Sequence, residues 1–246
     1  MGTKNFKLVI SYDGTNYHGW QVQDNGPSIQ GKIEDSLGSI FNTPVRLRYS
    51  SRTDTGVHAL CQVASFRAET CIKEENIKRA LNSMLPDDIV VTSVNVMPDD
   101  FDARKPVKKT YKYCIKNCAT RDPFYLNRAW WIPYGLDLGL MYKASRSLVG
   151  THDFQAFMSS GSDVKTTVRK IFDIDITISS DNIFINITAD GFLKQMVRNI
   201  VGTLVDVARG HIPANKVKEI LDSKDRKTAG VAAPACGLYL EKVYYG

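Results

Sequence analysis

Val45-Arg46-Leu47-Arg48-Tyr49-Ser50-Ser51-Arg52-Thr53-Asp54-Thr55-Gly56-Val57-His58-Ala59-Leu60-Cys61-Gln62-Val63-Ala64-Ser65-Phe66 sets two β-prone segments, Val45 to Tyr49 and Ala59 to Phe66, on either side of a short polar link. Before this pair, Ser28 to Phe41 carries Ile29, Ile33, Leu37 and Ile40 at helical spacing, which predicts an amphipathic helix. Earlier still, Phe6 to Tyr12 reads as a strand that ends in the turn signal Asp13-Gly14. After the pair come a second helix, Lys73 to Met84, broken by Pro86, and a strand, Ile89 to Val96. The first hundred residues or so therefore read β-α-β-β-α-β.

The second half echoes that order. Lys109 to Ile115 and Arg128 to Ile132 read as strands, and Leu136 to Val149 as a helix stopped by Gly150. Val168 to Ile178 and Asn182 to Ala189 read as a hairpin turning at Ser180-Asp181-Asn182. A long amphipathic helix, Phe192 to Arg209, a shorter one, Ala214 to Ser223, and a strand, Leu238 to Tyr244, follow. The repeated order predicts an α+β fold of two related subdomains with mainly antiparallel sheets. Pro98 to Lys109 is polar and proline-marked, which sets the expected boundary: 1–104 for the first subdomain and 105–246 for the second. Ser159 to Lys165 is a polar link inside the second.

With 246 residues, 43% of them hydrophobic, the chain can bury one large core or two smaller ones. No apolar run is long enough to cross a bilayer, and Met1 to Lys7 lacks the basic start and apolar core of a signal peptide. Five cysteines, an odd number, go with a reduced, cytoplasmic protein and no membrane. The net charge of +6 suits a polyanionic partner, because neutralised phosphates release counterions.

Asp54 is the first candidate for chemistry. Asp and Gly favour turns on their own account, so Asp-Thr-Gly is read equally as a plain turn and as a poised carboxylate. A carboxylate held ionised by a nearby cation can attack an electrophilic sugar carbon. The same three letters mark aspartic proteases, which need two such aspartates sharing one proton. This chain has no second copy, and polar Ser51-Arg52-Thr53 stands where that family has apolar residues. Thr110-Tyr111-Lys112-Tyr113 lies in a basic strand, either a tyrosine-lined core or a platform for an unpaired base. Arg198 lies beside the apolar face of the long helix; if buried it requires an anionic partner, and Asp54 is a candidate. Cys114 and Cys118 lack a second ligand pair at zinc spacing, and phosphate-loop and dinucleotide fingerprints are missing. The sequence thus favours a reaction needing neither metal nor cofactor.

Together these pieces resemble the tRNA pseudouridine synthase A family. The resemblance rests on Tyr12-Asp13-Gly14-Thr15-Asn16-Tyr17-His18-Gly19-Trp20-Gln21-Val22-Gln23, on Ser51 to Ala59, and on Phe101-Asp102-Ala103-Arg104. Tyr111-Lys112-Tyr113, Gly150-Thr151-His152-Asp153-Phe154, Met196-Val197-Arg198-Asn199 and Ala233 to Leu240 follow in family order. Thr55 stands where the family usually has alanine, Lys105 where an aromatic is frequent, and Cys236 in a variable slot. The resemblance implies two ferredoxin-like halves flanking a central RNA-binding cleft. It also implies a homodimer that isomerises uridines on the 3′ side of the tRNA anticodon stem-loop without metal or cofactor. By the same resemblance Asp54 is the nucleophile, Tyr111 packs on the target base, and Arg198 pairs with Asp54. Arg52 helps flip the uridine or fills its space, and Arg104 and His58 join Tyr111 and Arg52 as substrate-binding residues. A non-catalytic RNA-binding protein on the same scaffold is the alternative.

Overall fold

A computed structural model describes residues 2–24, 26–161 and 164–246. The chain divides into two compact units, Met1–Val107 with Tyr239–Gly246, and Lys108–Leu238.

The first unit contains β1 (Thr3–Tyr12), α1 (Ile29–Phe41), β2 (Arg48–Tyr49), β3 (His58–Glu69), α2 (Glu74–Met84) and β4 (Ile89–Met97). β1 lies between β4 and β3, antiparallel to both, and β2 pairs antiparallel with β3 at Arg48↔Ser65 and Tyr49↔Ala64. This is the β-α-β-β-α-β order predicted from the sequence and the ferredoxin-like strand arrangement that the resemblance implies. Alternation along β1 decides its two faces. Phe6, Leu8 and Ile10 are fully buried, and Phe6 stacks on Phe66, which Phe41 at the end of α1 also meets. Lys7, Val9 and Ser11 take the opposite face. Ser28 caps α1 by accepting a hydrogen bond from the Gly31 amide, and Asn42 ends the helix in the left-handed conformation.

The sequence predicts pairing from Val45 onward, yet the strand is reduced to Arg48–Tyr49. The cause is the buried carboxylate of Glu34 on α1. Its Oε1 accepts the Leu47 amide and its Oε2 the Arg46 guanidinium, so this stretch is tied to the helix instead of the sheet.

The second unit contains β5 (Lys108–Asn117), β6 (Trp130–Ile132), α3 (Leu138–Ser145), β7 (Gly150–Asp153), β8 (Val168–Ser179), β9 (Asn182–Ala189), α4 (Met196–Ala208) and α5 (Lys216–Ser223). The antiparallel order is β5-β9-β8-β7, with β6 parallel to the end of β5. The predicted hairpin is β8–β9, and Ser180 turns it with φ of 54°. Ile183, Ile185 and Ile187 alternate inward from β9, and nearly every residue of α4 is buried. α4 starts at Met196, four residues later than predicted, because Gln195 just ahead of it adopts φ of 56°, which right-handed helix excludes. The helix predicted over Leu136 to Val149 resolves into α3 and a single tighter turn at Arg146–Leu148. Of the polar link Ser159 to Lys165, Ser162 and Asp163 lie outside the described residues.

β10 (Leu238–Tyr244) comes after α5 in sequence but belongs, from Tyr239 on, to the first unit. It runs parallel to β3 through Tyr239↔His58 and Leu240↔Ala59. The unit boundary falls after Val107 instead of residue 104, and the last strand, expected with the second subdomain, counts with the first.

Candidate active site

Asp54 occupies the link between β2 and β3, and its half-buried side chain stands on a backbone fixed from several directions. From one side, the Trp20 amide donates to the Thr53 carbonyl and the Tyr12 and Thr53 hydroxyls bond at 2.8 Å. From another, fully buried Gln62 on β3 donates through Nε2 to the Ser51 carbonyl and accepts the Ser50 hydroxyl on Oε1, both at 2.7 Å. The turn itself closes by a bond from the Val57 amide to the Asp54 carbonyl. Trp20 is buried between the Tyr12 and Tyr49 rings, so the residue that grips Thr53 is itself locked in the core.

Two glycines make the grip possible. A Cβ on Gly14 would lie 2.0 Å from the Val57 carbonyl oxygen, and one on Gly19 2.5 Å from the Thr53 carbonyl oxygen. Gly19 also adopts φ of 88°, which side chains disfavour. The Tyr12 to Gln23 stretch is therefore the cradle of the Ser51 to Val57 loop. That is a physical reason for the two stretches to occur together.

His58, read in the sequence as a substrate contact, is 2% exposed. Its Nδ1 accepts the Gly14 amide at 3.0 Å and lies 3.1 Å from Asp13 Oδ1, while its ring stacks on Tyr239. It braces the cradle. Arg52 is exposed, two residues from Asp54. Arg104 clasps Asp102 through Nε at 3.0 Å and Nη2 at 2.6 Å, and Arg48 approaches the same carboxylate at 3.6 Å. The Arg104 hydrogen bonds hold the Asp102 carboxyl down at about 2.

Tyr111 and Arg198 lie in the second unit. Tyr111 on β5 is buried, edge-on to Phe192 with ring centres 5.0 Å apart. Tyr113, on the same face, donates its hydroxyl to the Pro234 carbonyl, and burial pushes its phenol well above its usual value. Arg198, half-buried in the first turn of α4, donates through Nε to the Ala233 carbonyl at 2.8 Å, and the Ala233 amide returns a bond to the Arg198 carbonyl. Next to it, fully buried Asn199 donates to the Phe157 carbonyl and accepts Arg226. The Ala233 to Gly237 stretch thus links the strand of Tyr111 to the helix of Arg198. Lys109, two residues before Tyr111, is lowered to about 8 by burial and by the charge of Arg169.

Gln62 escaped the sequence reading, and Tyr12 and Asp102 stood there only inside motifs, with no role of their own. Gln62 had a signal: it is an amide at an inward position of an apolar strand, where an unpaired polar group is costly. Among the described residues no cluster of His, Cys, Asp and Glu could hold a metal ion.

The sequence model described as tRNA pseudouridine synthase matches residues 8–105 and 144–246. The chain belongs to the tRNA pseudouridine synthase family. Relatives along its whole length carry the name tRNA pseudouridine synthase A. One from Thermoanaerobacter sp. (strain X514) is 48% identical over 98% of this chain and 100% of its own. One from Acetivibrio thermocellus is 45% identical with the same coverage. A Clostridium perfringens relative, tRNA pseudouridine synthase A 2, is also 45% identical over 98% of this chain and 100% of its own. As a member of this family the protein is an isomerase that converts uridine to pseudouridine in tRNA. A purely binding role on the same scaffold is not favoured.

Proposed function

We propose that Asp54 is the nucleophile of this synthase and that its target uridines lie on the 3′ side of the anticodon stem-loop. The observation that carries the assignment is the clamp around Asp54: Trp20, Tyr12, Gln62 and two close-packed glycines fix the backbone beneath one half-buried carboxylate. A plain turn needs no such support, whereas a group that must meet a sugar carbon gains from being positioned before the substrate arrives.

The reaction breaks the bond from C1′ to N1 and makes one from C1′ to C5, with a proton leaving C5 and another joining N1. The uridine leaves its stack so that its ribose reaches Asp54, which acts on the sugar as the base detaches. The base turns within the pocket and rejoins through carbon 5. Water is kept out throughout, or the base would be lost to hydrolysis. Tyr111 packs on the base and helps move the C5 proton. Arg198, whose Nε bonds the Ala233 carbonyl, is in this reading the cation that keeps Asp54 ionised. Exposed Arg52 takes the space of the flipped base, and Arg104 meets the RNA backbone. His58 serves by positioning the Asp13-Gly14 turn. In this proposal the protein works in the cytoplasm as a homodimer. Among the described residues no helix is long and apolar enough to cross a membrane.

The test incubates wild-type protein and Asp54→Asn with tRNA transcripts and maps pseudouridine by carbodiimide-dependent primer-extension stops. Wild type should give stops in the 3′ strand of the anticodon stem-loop, and the variant should bind the same tRNA but give none. Turnover by Asp54→Asn near the wild-type rate would overturn the assignment.

A further inference from the structure

The first unit carries a cationic cluster of which the proposed function uses only Arg104, as a contact to the RNA backbone. In the sheet, Lys7 of β1 pairs with Ser65 of β3, and Ser65 pairs with Arg48 of β2, so the three side chains form one row across the face opposite Phe6 and Leu8. The chain after β4 crosses this row and is pinned to it. Asn5 donates to the Pro98 and Phe101 carbonyls, the Ala103 amide donates to the Ser65 hydroxyl, and the Tyr245 hydroxyl donates to the Ala103 carbonyl. Asp102 is thereby delivered beside Arg48, and the Lys7 ammonium lies 5.4 Å from the Tyr245 ring centre.

Two arginines here share one carboxylate. The Asp102 side chain is 8% exposed, whereas those of Arg48 and Arg104 are 57% and 58% exposed. A buried acid gripping two solvent-facing guanidiniums spends little of their charge and much of their freedom. Its bonds to Nε and Nη2 fix the plane of the Arg104 guanidinium and leave Nη1 outside them, while Arg48 Nη1 is held at ion-pair distance, 3.6 Å; an oriented guanidinium is what directed recognition of a phosphate requires.

We propose that Arg48 and Arg104, held by Asp102, form a clamp for one backbone phosphate of the tRNA substrate, with Asp102 a positioning residue and Lys7 adding charge beside it. This rests on the proposed function in taking tRNA as the substrate and Arg104 as a contact to its backbone, and it adds Arg48 and the positioning role of Asp102. The lowered pKa of Asp102 agrees with it: the carboxylate stays charged, and keeps hold of Arg104, at every pH at which the enzyme would work.

Equilibrium binding of an unmodified tRNA transcript is measured over a salt series for wild type, Arg48→Ala/Arg104→Ala and Asp102→Asn. Removing both arginines should weaken binding about tenfold or more and flatten the slope of log K against log salt by about 0.7 to 0.9, the loss of one phosphate contact. An unchanged slope would overturn the clamp. Asp102→Asn gives a test of sign. It removes a negative charge, so if Asp102 only dilutes the local field, binding should tighten; if it positions the forks, binding should weaken about threefold or more despite the added positive charge. Thermal unfolding of each variant is followed alongside, and Arg48→Ala alone, at an exposed side chain, keeps the test available should Asp102→Asn unfold. Pseudouridine is assayed in the same samples, so a wild type that binds but does not isomerise overturns the proposed reaction while leaving the slope comparison intact.

Discussion

Gly19→Ala is a single methyl group added some way from any reacting atom, and its effect on catalysis should be large. In the structure the new Cβ would sit 2.5 Å from the Thr53 carbonyl oxygen, where ordinary contact begins at 3.4 Å. Relief requires a separation of about 0.9 Å, and the Thr53 carbonyl is the movable partner, because Trp20 next door is sealed in the core and the Tyr12 ring supports it. Thr53 immediately precedes Asp54, so that shift is passed to the carboxylate. Alanine at φ of 88° adds a backbone cost of about 1–3 kcal/mol. A misplacement of about 1 Å costs on the order of 100-fold in rate. The expected outcome is a kcat reduced about a hundredfold, a KM for tRNA changed less than threefold or so, and stability reduced by about 2 kcal/mol. Single-turnover pseudouridine formation and denaturant unfolding measure the two effects, with Gly135→Ala, whose Cβ would meet nothing within 4 Å, as the control. A Gly19→Ala enzyme that keeps wild-type kcat would refute the idea that the Tyr12 to Gln23 cradle sets the position of Asp54.

Gln62→Leu removes two buried hydrogen bonds, to the Ser51 carbonyl and from the Ser50 hydroxyl, so it should cost about 2–4 kcal/mol of stability and lower kcat more than it raises KM, read by urea unfolding and steady-state kinetics. Arg198→Lys removes the Nε that bonds the Ala233 carbonyl together with the planar fork, and is expected to lower turnover at least tenfold or so while tRNA affinity changes little; filter binding beside the activity assay separates the two. Asp102 is held at about 2 against an ordinary 3.8, so its contribution to stability is complete above the unfolded value and is lost as pH falls from there toward 2. Acid unfolding should therefore be less steep in that window for Asp102→Asn than for wild type. Lys109 is depressed from 10.5 to about 8, so the unfolded chain holds the extra proton between those values and stability should gain from raising the pH through that range; Lys109→Met should remove the gain in alkaline thermal scans.

How much of this could be read from sequence depended on whether a residue's partner lay along the chain or across it. Helix α1 and strands β1, β3 and β9 were legible because Ile29, Ile33 and Leu37, or Ile183, Ile185 and Ile187, repeat at the period their element imposes. β7 was not, since Gly150-Thr151-His152-Asp153 has no apolar alternation and, among the described residues, pairs on one side only, as an edge strand. The early end of pairing before Arg48 was hidden as well, because the competitor for the Leu47 amide is a glutamate on α1. The late start of α4 turned on the φ of Gln195, a residue with no preference that announces it. In the site, Asp54 and the residues named with it came from motif company. What Gln62, Tyr12 and Asp102 do came only from the folded chain, where each acts on a loop or an arginine instead of on substrate. His58 shows the same difference in reverse: a histidine inside a catalytic motif reads as a contact, and its burial makes it a brace.

The return of β10 to the first unit has a consequence for how the protein is made. Tyr239 stacks on His58, and Leu240 lies beside Ala59 at the start of β3, so part of the support beneath Asp54 is encoded after the whole of residues 108–238. A ribosome adding about 5–20 residues per second needs roughly ten seconds to cover that interval. Throughout it the unit that carries Asp54 waits on the ribosome without the β10 partner of β3. The nascent chain cannot be an active enzyme in that interval, and a nonsense codon anywhere in the second unit would leave the complete Ser51 to Ala59 motif translated but unbraced.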